Sequence, residues 1–192
     1  PVGFRLRLNT SEICELEKND GFEDKPLIKR FQNKVNPTYD LPVVLNGNIM
    51  PGDVDIFEFN AEKGQNLVID IRARSLIPYL ADAVPGWFQA VVSLYGPDKK
   101  EVTFKDDFRF HPDPIIKYTV PQTGIYQLKI HDSIYRGRED FIYRIYISEQ
   151  PLVTDIFPLG GSLEESTIAN VDGINLNKKR VLLNTRSNDR EI

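Results

Sequence analysis

Six residues near the start of the chain pack three acids and an amide together. In Glu15-Leu16-Glu17-Lys18-Asn19-Asp20, the residues Glu15, Glu17 and Asn19 fall at every second position. An extended segment turns alternate side chains to one face, so these three would point together and Lys18 away. Asp20 adds a fourth donor where the chain turns at Gly21. Carboxylates and amide carbonyls held this way suit Ca2+, which takes six to eight oxygens at about 2.3–2.6 Å. Two blander readings compete: a solvated acidic linker, or a short helix capped by Asn19 or Asp20. An EF-hand is excluded. Counting Glu15 as the first loop residue puts Asp20 where the invariant Gly belongs and Pro26 where the closing bidentate Glu belongs.

Other chemistry is thinner. Asp106, Asp107, His111 and Asp113 cluster in FKDDFRFHPDP. Zinc would want several His or Cys ligands, and one His is present, so these acids are expected to bond backbone groups in a hairpin loop. His131, Asp132 and Ser133 are consecutive, but neighbours in a strand face opposite ways, which rules out a triad. No G-x-S-x-G occurs, and no pair of titratable groups signals a cleft, so the chain is expected not to be an enzyme. Cys14 is the one cysteine; a disulfide framework is excluded, and a small buried hydrophobe is expected. Tyr79, Trp87 and Phe88 lie in SLIPYLADAVPGWF, residues 75–88. Exposed, they would form an aromatic platform for sugar rings or protein side chains. The preferred reading is a plug closing one end of the fold, with Trp87 largely buried. Arg136 and Arg138 are expected to form surface ion pairs with Glu139 and Asp140.

The elements that must position these residues are strands. Period-2 alternation runs through Phe57 and Phe59, Leu67, Ile69 and Ile71, Ile116, Tyr118 and Val120, Tyr126, Leu128 and Ile130, and Phe141, Tyr143, Ile145 and Ile147. Turn chemistry separates them in PGD (51–53), EKGQ (62–65), GPDKK (96–100), PQTG (121–124) and RGRED (136–140). Short strands at this spacing predict an all-β, antiparallel sandwich. EDKPLIKRF (23–31) allows a turn or two of helix starting near Pro26.

Composition narrows the partners. The net charge is −4 and 41% of residues are hydrophobic, enough for a core. Neither a nucleic-acid face nor a basic patch for anionic lipid is expected. No run of about 18 apolar residues exists to span a membrane. The chain opens PVGFRLRLN, strand-like and without Met, as expected of a segment from a longer protein. Residues 1–14 read as the end of a preceding segment or a linker strand, and 15–150 as the complete sandwich. Residues 151–192 read as the start of a following β module or a tail packed back on the first, with weaker strands near 166–171 and 180–184.

From ELEKND onward the chain resembles the bacterial pre-peptidase C-terminal (PPC) domain family. The resemblance continues through LPVVLNGNIMPGDVDIFEFNAEKGQNLVIDIRAR, SLYGPDKKEV, YTVPQTGIYQLKIHD and YRGREDFIYRIYI, in register over roughly residues 15–147. FPLGGS resembles the opening of an immunoglobulin-like module of the kind that follows such domains. The resemblance implies a jelly-roll-like sandwich, outside the cytoplasm (extracellular, periplasmic or at the cell surface). It implies an accessory, spacer or binding module appended to other domains of a parent protein, with no catalytic activity of its own. Some members bind calcium, and some bind fibrous protein or polysaccharide. In calcium-binding members Glu-x-Glu-x-Asn-Asp supplies ligands, which maps onto Glu15, Glu17, Asn19 and Asp20. The remaining ligands come from the acidic turn before the D-x-F strand, which maps onto Asp55 and, the turn being short, less directly onto Asp53.

Overall fold

The structure, a computed structural model, describes residues 11–14, 37–77, 86–162 and 166–184. ELEKND and the 23–31 helix candidate lie outside the described residues, as does Tyr79. The chain divides into two compact units, one running from Thr10 to Ser148 and the other holding the residues from Glu149 onward.

The first unit is a β-sandwich of two five-stranded sheets. One has the order β1 (Ser11–Cys14), β3 (Val43–Asn48), β10 (Ile142–Ser148), β5 (Asn66–Arg72), β8 (Ile115–Thr119). The other has the order β2 (Thr38–Tyr39), β4 (Asp55–Ala61), β9 (Gly124–Asp132), β6 (Ala90–Tyr95), β7 (Glu101–Lys105). Strand β3 pairs with β10, β4 with β9, β5 with β8 and β6 with β7, all antiparallel. That nested set is a long hairpin wound across two sheets, the jelly roll.

The alternation read from sequence sets which side chains face inward. Phe57, Phe59, Tyr126, Leu128, Ile130, Tyr143, Ile145 and Ile147 meet between the sheets and are buried. Strand β5 departs from simple alternation: Val68 and Asp70 are buried along with Leu67, Ile69 and Ile71, as befits a strand covered on both faces.

Two pairings differ from the antiparallel expectation. Strand β1 runs parallel to β3, with Ser11 opposite Val43 and Cys14 opposite Asn46. Strand β2 runs parallel to β4. Parallel neighbours need a long crossover, and the chain between Cys14 and Val43 is long enough to supply one. Among the described residues the first strand of the sandwich is therefore β1, upstream of the boundary read at residue 15, and Ser11–Cys14 stands at the end of its sheet's order. The reason is physical: edge pairing is made by backbone groups, which carry no side-chain signature.

In the second unit, β11 (Leu152–Phe157), β12 (Ser166–Ile174) and β13 (Arg180–Asn184) form a three-stranded antiparallel meander. Its strands coincide with the weak candidates near 166–171 and 180–184. One face carries Ile168 opposite Leu182, both largely exposed.

Candidate functional site

One end of the sandwich gathers the turn 49–54, the segment 86–89, the loop 106–114 and the loop 133–141. Among the described residues, this end holds Asp53, Asp55, Asp106, Asp107, Asp113, Asp132, Glu139 and Asp140, in contrasting surroundings.

Asp55 opens β4 in phase with Phe57 and Phe59, so its side chain points inward. It is fully buried, and its Oδ2 accepts a hydrogen bond of 2.6 Å from the Tyr143 hydroxyl. Tyr143 faces inward from β10 and meets the ring edge of Phe57, with centroids 6.3 Å apart. Asp53 sits in the preceding turn. Its backbone N–H bonds the Met50 carbonyl at 3.0 Å, its Oδ2 accepts from the Met50 N–H at 3.3 Å, and its Oδ1 is shut off from solvent. Gly52 takes φ +80°, the left-handed region that a side chain would penalise. The two carboxylates therefore part company: Asp53 is used within its own turn, and Asp55 is held in the core by Tyr143. Among the described residues, no group of three or more metal-ligating side chains stands together; Asp53 and Asp55 are two of the six expected ligands, and the other four lie outside the described residues.

Asp132 is the second fully buried acid at this end. It ends β9 in phase with Leu128 and Ile130. Arg136 clamps it from both oxygens, Nε to Oδ2 at 3.0 Å and Nη2 to Oδ1 at 3.0 Å. The N–H groups of Gln89, Ile134 and Arg136 also donate to it. Sequence reading assigned Arg136 to surface pairs with Glu139 or Asp140, and the structure corrects this. A carboxylate forced inward by strand phase needs a paired cation, and Arg136, four residues on, folds back to supply it. Arg138 does make the expected half-exposed pair, Nε to Asp140 Oδ1 at 2.9 Å.

Asp113 spans the loop as a cap: its carboxylate accepts from the N–H groups of Ala73, Arg74 and Ser75 at 3.1, 2.7 and 3.0 Å. That is backbone bonding as expected, but to a distant segment instead of its own loop. Asp106, Asp107 and His111 are exposed. His131 lies on the outer face, stacked on Tyr135 at 4.7 Å, while Asp132 points inward, so the consecutive residues diverge as strand geometry requires.

Of the three aromatics, Phe88 is a core residue, 4% exposed and stacked on Phe141 at 5.4 Å. It is not part of any surface platform, and the correction follows from its proximity to β6, whose phase turns it inward. Trp87 is half-buried, with the Arg74 guanidinium 5.6 Å from its ring centroid.

No protein-family model matches the chain, and neither does any curated protein. Among solved structures, the chain is similar to the pre-peptidase C-terminal domain of a collagenase from Bacillus anthracis, at 14% identity and a TM-score of 0.40, over 60% of this chain and 99% of that one. It is also similar to PliG from Salmonella Typhimurium, a periplasmic inhibitor of g-type lysozyme, at 20% identity and a TM-score of 0.37, over 59% of this chain and 98% of that one. PliG from Aeromonas hydrophila matches at 14% identity and a TM-score of 0.38. No helix among the described residues is long and apolar enough to cross a membrane.

Proposed function

We propose that this chain is a non-catalytic β-sandwich module of a secreted or cell-surface bacterial protein, stabilised by calcium bound where ELEKND meets the 52–55 turn. Glu15, Glu17, Asn19 and Asp20 would supply one half of the oxygen set, and Asp55 with Asp53 the other. The observation that carries the reading is the parallel pairing of β1 with β3. Cys14, the last residue of β1, lies opposite Asn46, and both strands run toward the end of the sheet where the 49–54 turn begins. Glu15 follows Cys14 directly in the sequence, and the direction of β1 supports a reading in which the two acidic segments meet. The ion's role is structural: it neutralises Glu15, Glu17, Asp20 and Asp55 and pins the linker to the sandwich.

The test is melting with and without metal. Millimolar Ca2+ raises the melting temperature of the whole chain, and the rise is lost in Glu17→Ala. Absence of both a calorimetric binding signal and a thermal shift in the unaltered chain would sink the reading.

A further inference from the structure

The three most exposed large apolar side chains among the described residues of the sandwich all lie at the end that carries the 106–114 and 133–141 loops. Phe110 is fully exposed, Ile134 61% and Tyr135 51%. Strand order sets their loops side by side. In the sheet β2-β4-β9-β6-β7, strand β4 begins at Asp55, β9 ends at Asp132, β6 begins at Ala90 and β7 ends at Lys105, so the segments beyond them emerge together. With neighbouring strands about 4.8 Å apart, the four segments span about 15 Å. Both tips are held from within. Phe110 stands on a two-residue hairpin turn closed by reciprocal backbone bonds between Phe108 and His111, at 2.9 and 3.0 Å. Such turns are ordinarily made by Asn-Gly or Asp-Gly; here Arg109 takes φ +59°, a left-handed conformation that its side chain disfavours. Tyr135 does the same at φ +57°, its N–H on the Asp132 carbonyl and its own carbonyl accepting from the Gly52 N–H, both at 2.9 Å. The Ile134 N–H donates to the Asp132 carboxylate at 3.2 Å. Gln89 ties the two loops together: its side-chain amide donates to the Asp106 carbonyl at 2.7 Å, its N–H to Asp132 Oδ1 at 3.1 Å, and its carbonyl accepts from the Ser133 N–H at 2.9 Å.

The charge around these side chains is acidic. Asp106, Asp107 and Glu139 are exposed, and among the described residues none of the three is in an ion pair. The arginines are engaged: Arg136 holds Asp132, Arg138 holds Asp140, and the Arg109 guanidinium lies 5.3 Å from the Phe108 ring centroid. Lys105 is the remaining base on these loops. We propose that this end of the sandwich is a docking surface for a positively charged protein. Phe110 enters an apolar pocket of the partner, and Ile134 and Tyr135 pack beside it. Large apolar and aromatic side chains at the centre with charge at the rim make up the composition of a protein interface. The three carboxylates complement Lys and Arg on such a partner and repel an anionic membrane. Tips already fixed by hydrogen bonds lose little freedom on binding. The surface stands apart from the calcium reading and does not depend on it.

The whole chain, immobilised in a buffer containing a chelator, is challenged with a phage-displayed library of random short peptides. The enriched peptides are expected to combine Lys or Arg with a large apolar residue, and to bind more weakly at high salt. Their affinity falls by about tenfold or more in Phe110→Ser, and by a smaller factor when Asp106→Asn and Asp107→Asn are combined. It is unchanged in Ile125→Ser, a comparably exposed apolar residue at the far end of β9. All of these side chains are exposed, and an unchanged melting temperature shows that each variant folds. The proposal is overturned if no peptide is enriched, if the enriched peptides are acidic, or if they bind Phe110→Ser as tightly as the unaltered chain. Two more measurements address other occupants: cosedimentation with phosphatidylcholine vesicles, with and without phosphatidylserine, and sedimentation velocity of the chain alone. Vesicle binding that depends on Phe110 assigns the tips to lipid, and a dimer that depends on Phe110 assigns them to a second copy; either result overturns the proposal. Because the chelator removes calcium throughout, failure here leaves the calcium reading standing.

Discussion

At the scale of single residues, the informative positions are polar groups that strand phase drives inward. Asp55 and Tyr143 satisfy each other in the core, and Tyr143→Phe removes the hydroxyl donor from a fully buried carboxylate. The expected cost is about 1–3 kcal/mol, read from urea midpoints in a chelator so that metal does not enter; an unchanged midpoint would mean that other groups carry Asp55. Asp70 tells a different story. Burial pushes its pKa above the ordinary carboxylate value, and the neighbouring Arg72 guanidinium only partly offsets this. At low pH the group is protonated in folded and unfolded chains alike and contributes no difference. As pH rises through the carboxylate range the unfolded chain gives up this proton first, so ionisation weakens the folded state, fully so above the raised pKa. Asp70→Asn, neutral throughout, should therefore gain stability relative to the unaltered chain as pH rises from below the ordinary carboxylate range to above it. A difference in melting temperature that does not change with pH would contradict the shift.

At the scale of elements, loops do the joining that strands cannot. The 49–54 turn and the 133–141 loop interlock by backbone hydrogen bonds and by the bare Cα of Gly137 against Met50. Gly137→Ala forces one backbone away from the other, and a cost of about 1–3 kcal/mol is expected from overpacking. If calcium binds as proposed, the same variant should lower its affinity, because the Asp53 turn loses its backing. Normal melting and normal affinity in Gly137→Ala would show that the interlock is unimportant.

At the scale of the whole molecule, the sandwich encloses its core through pairings between strands distant in sequence, β3 with β10 and β4 with β9. An ion that ties β1's continuation to the β3–β4 turn would act on the folded state alone. Its stabilisation then follows mass action, about 2.7 kcal/mol when free Ca2+ is one hundredfold above Kd. The melting temperature should climb with calcium concentration without a plateau at stoichiometric metal, and a shift that saturates at one equivalent would point to a different role.

Strand identity and core membership were legible in the chain because a side-chain period of two is a local property. Phe57 and Phe59, Leu128 and Ile130, and Ile145 and Ile147 each declared their inward face without knowledge of any partner. The same local rule placed Asp55 beside Phe57 and separated His131 from Asp132. What only the tertiary structure decided was pairing. The parallel edge strand Ser11–Cys14, the capture of Asp132 by Arg136, the cap that Asp113 places on residues 73–75, and the passage of Phe88 into the core all depend on which distant segments meet. Backbone hydrogen bonds and close glycine contacts hold those meetings together, and they leave no periodic trace in the order of side chains. ELEKND shows the same division: its alternation marks out a set of oxygen donors, while the direction of the preceding strand, β1 parallel to β3, is a property of the sheet.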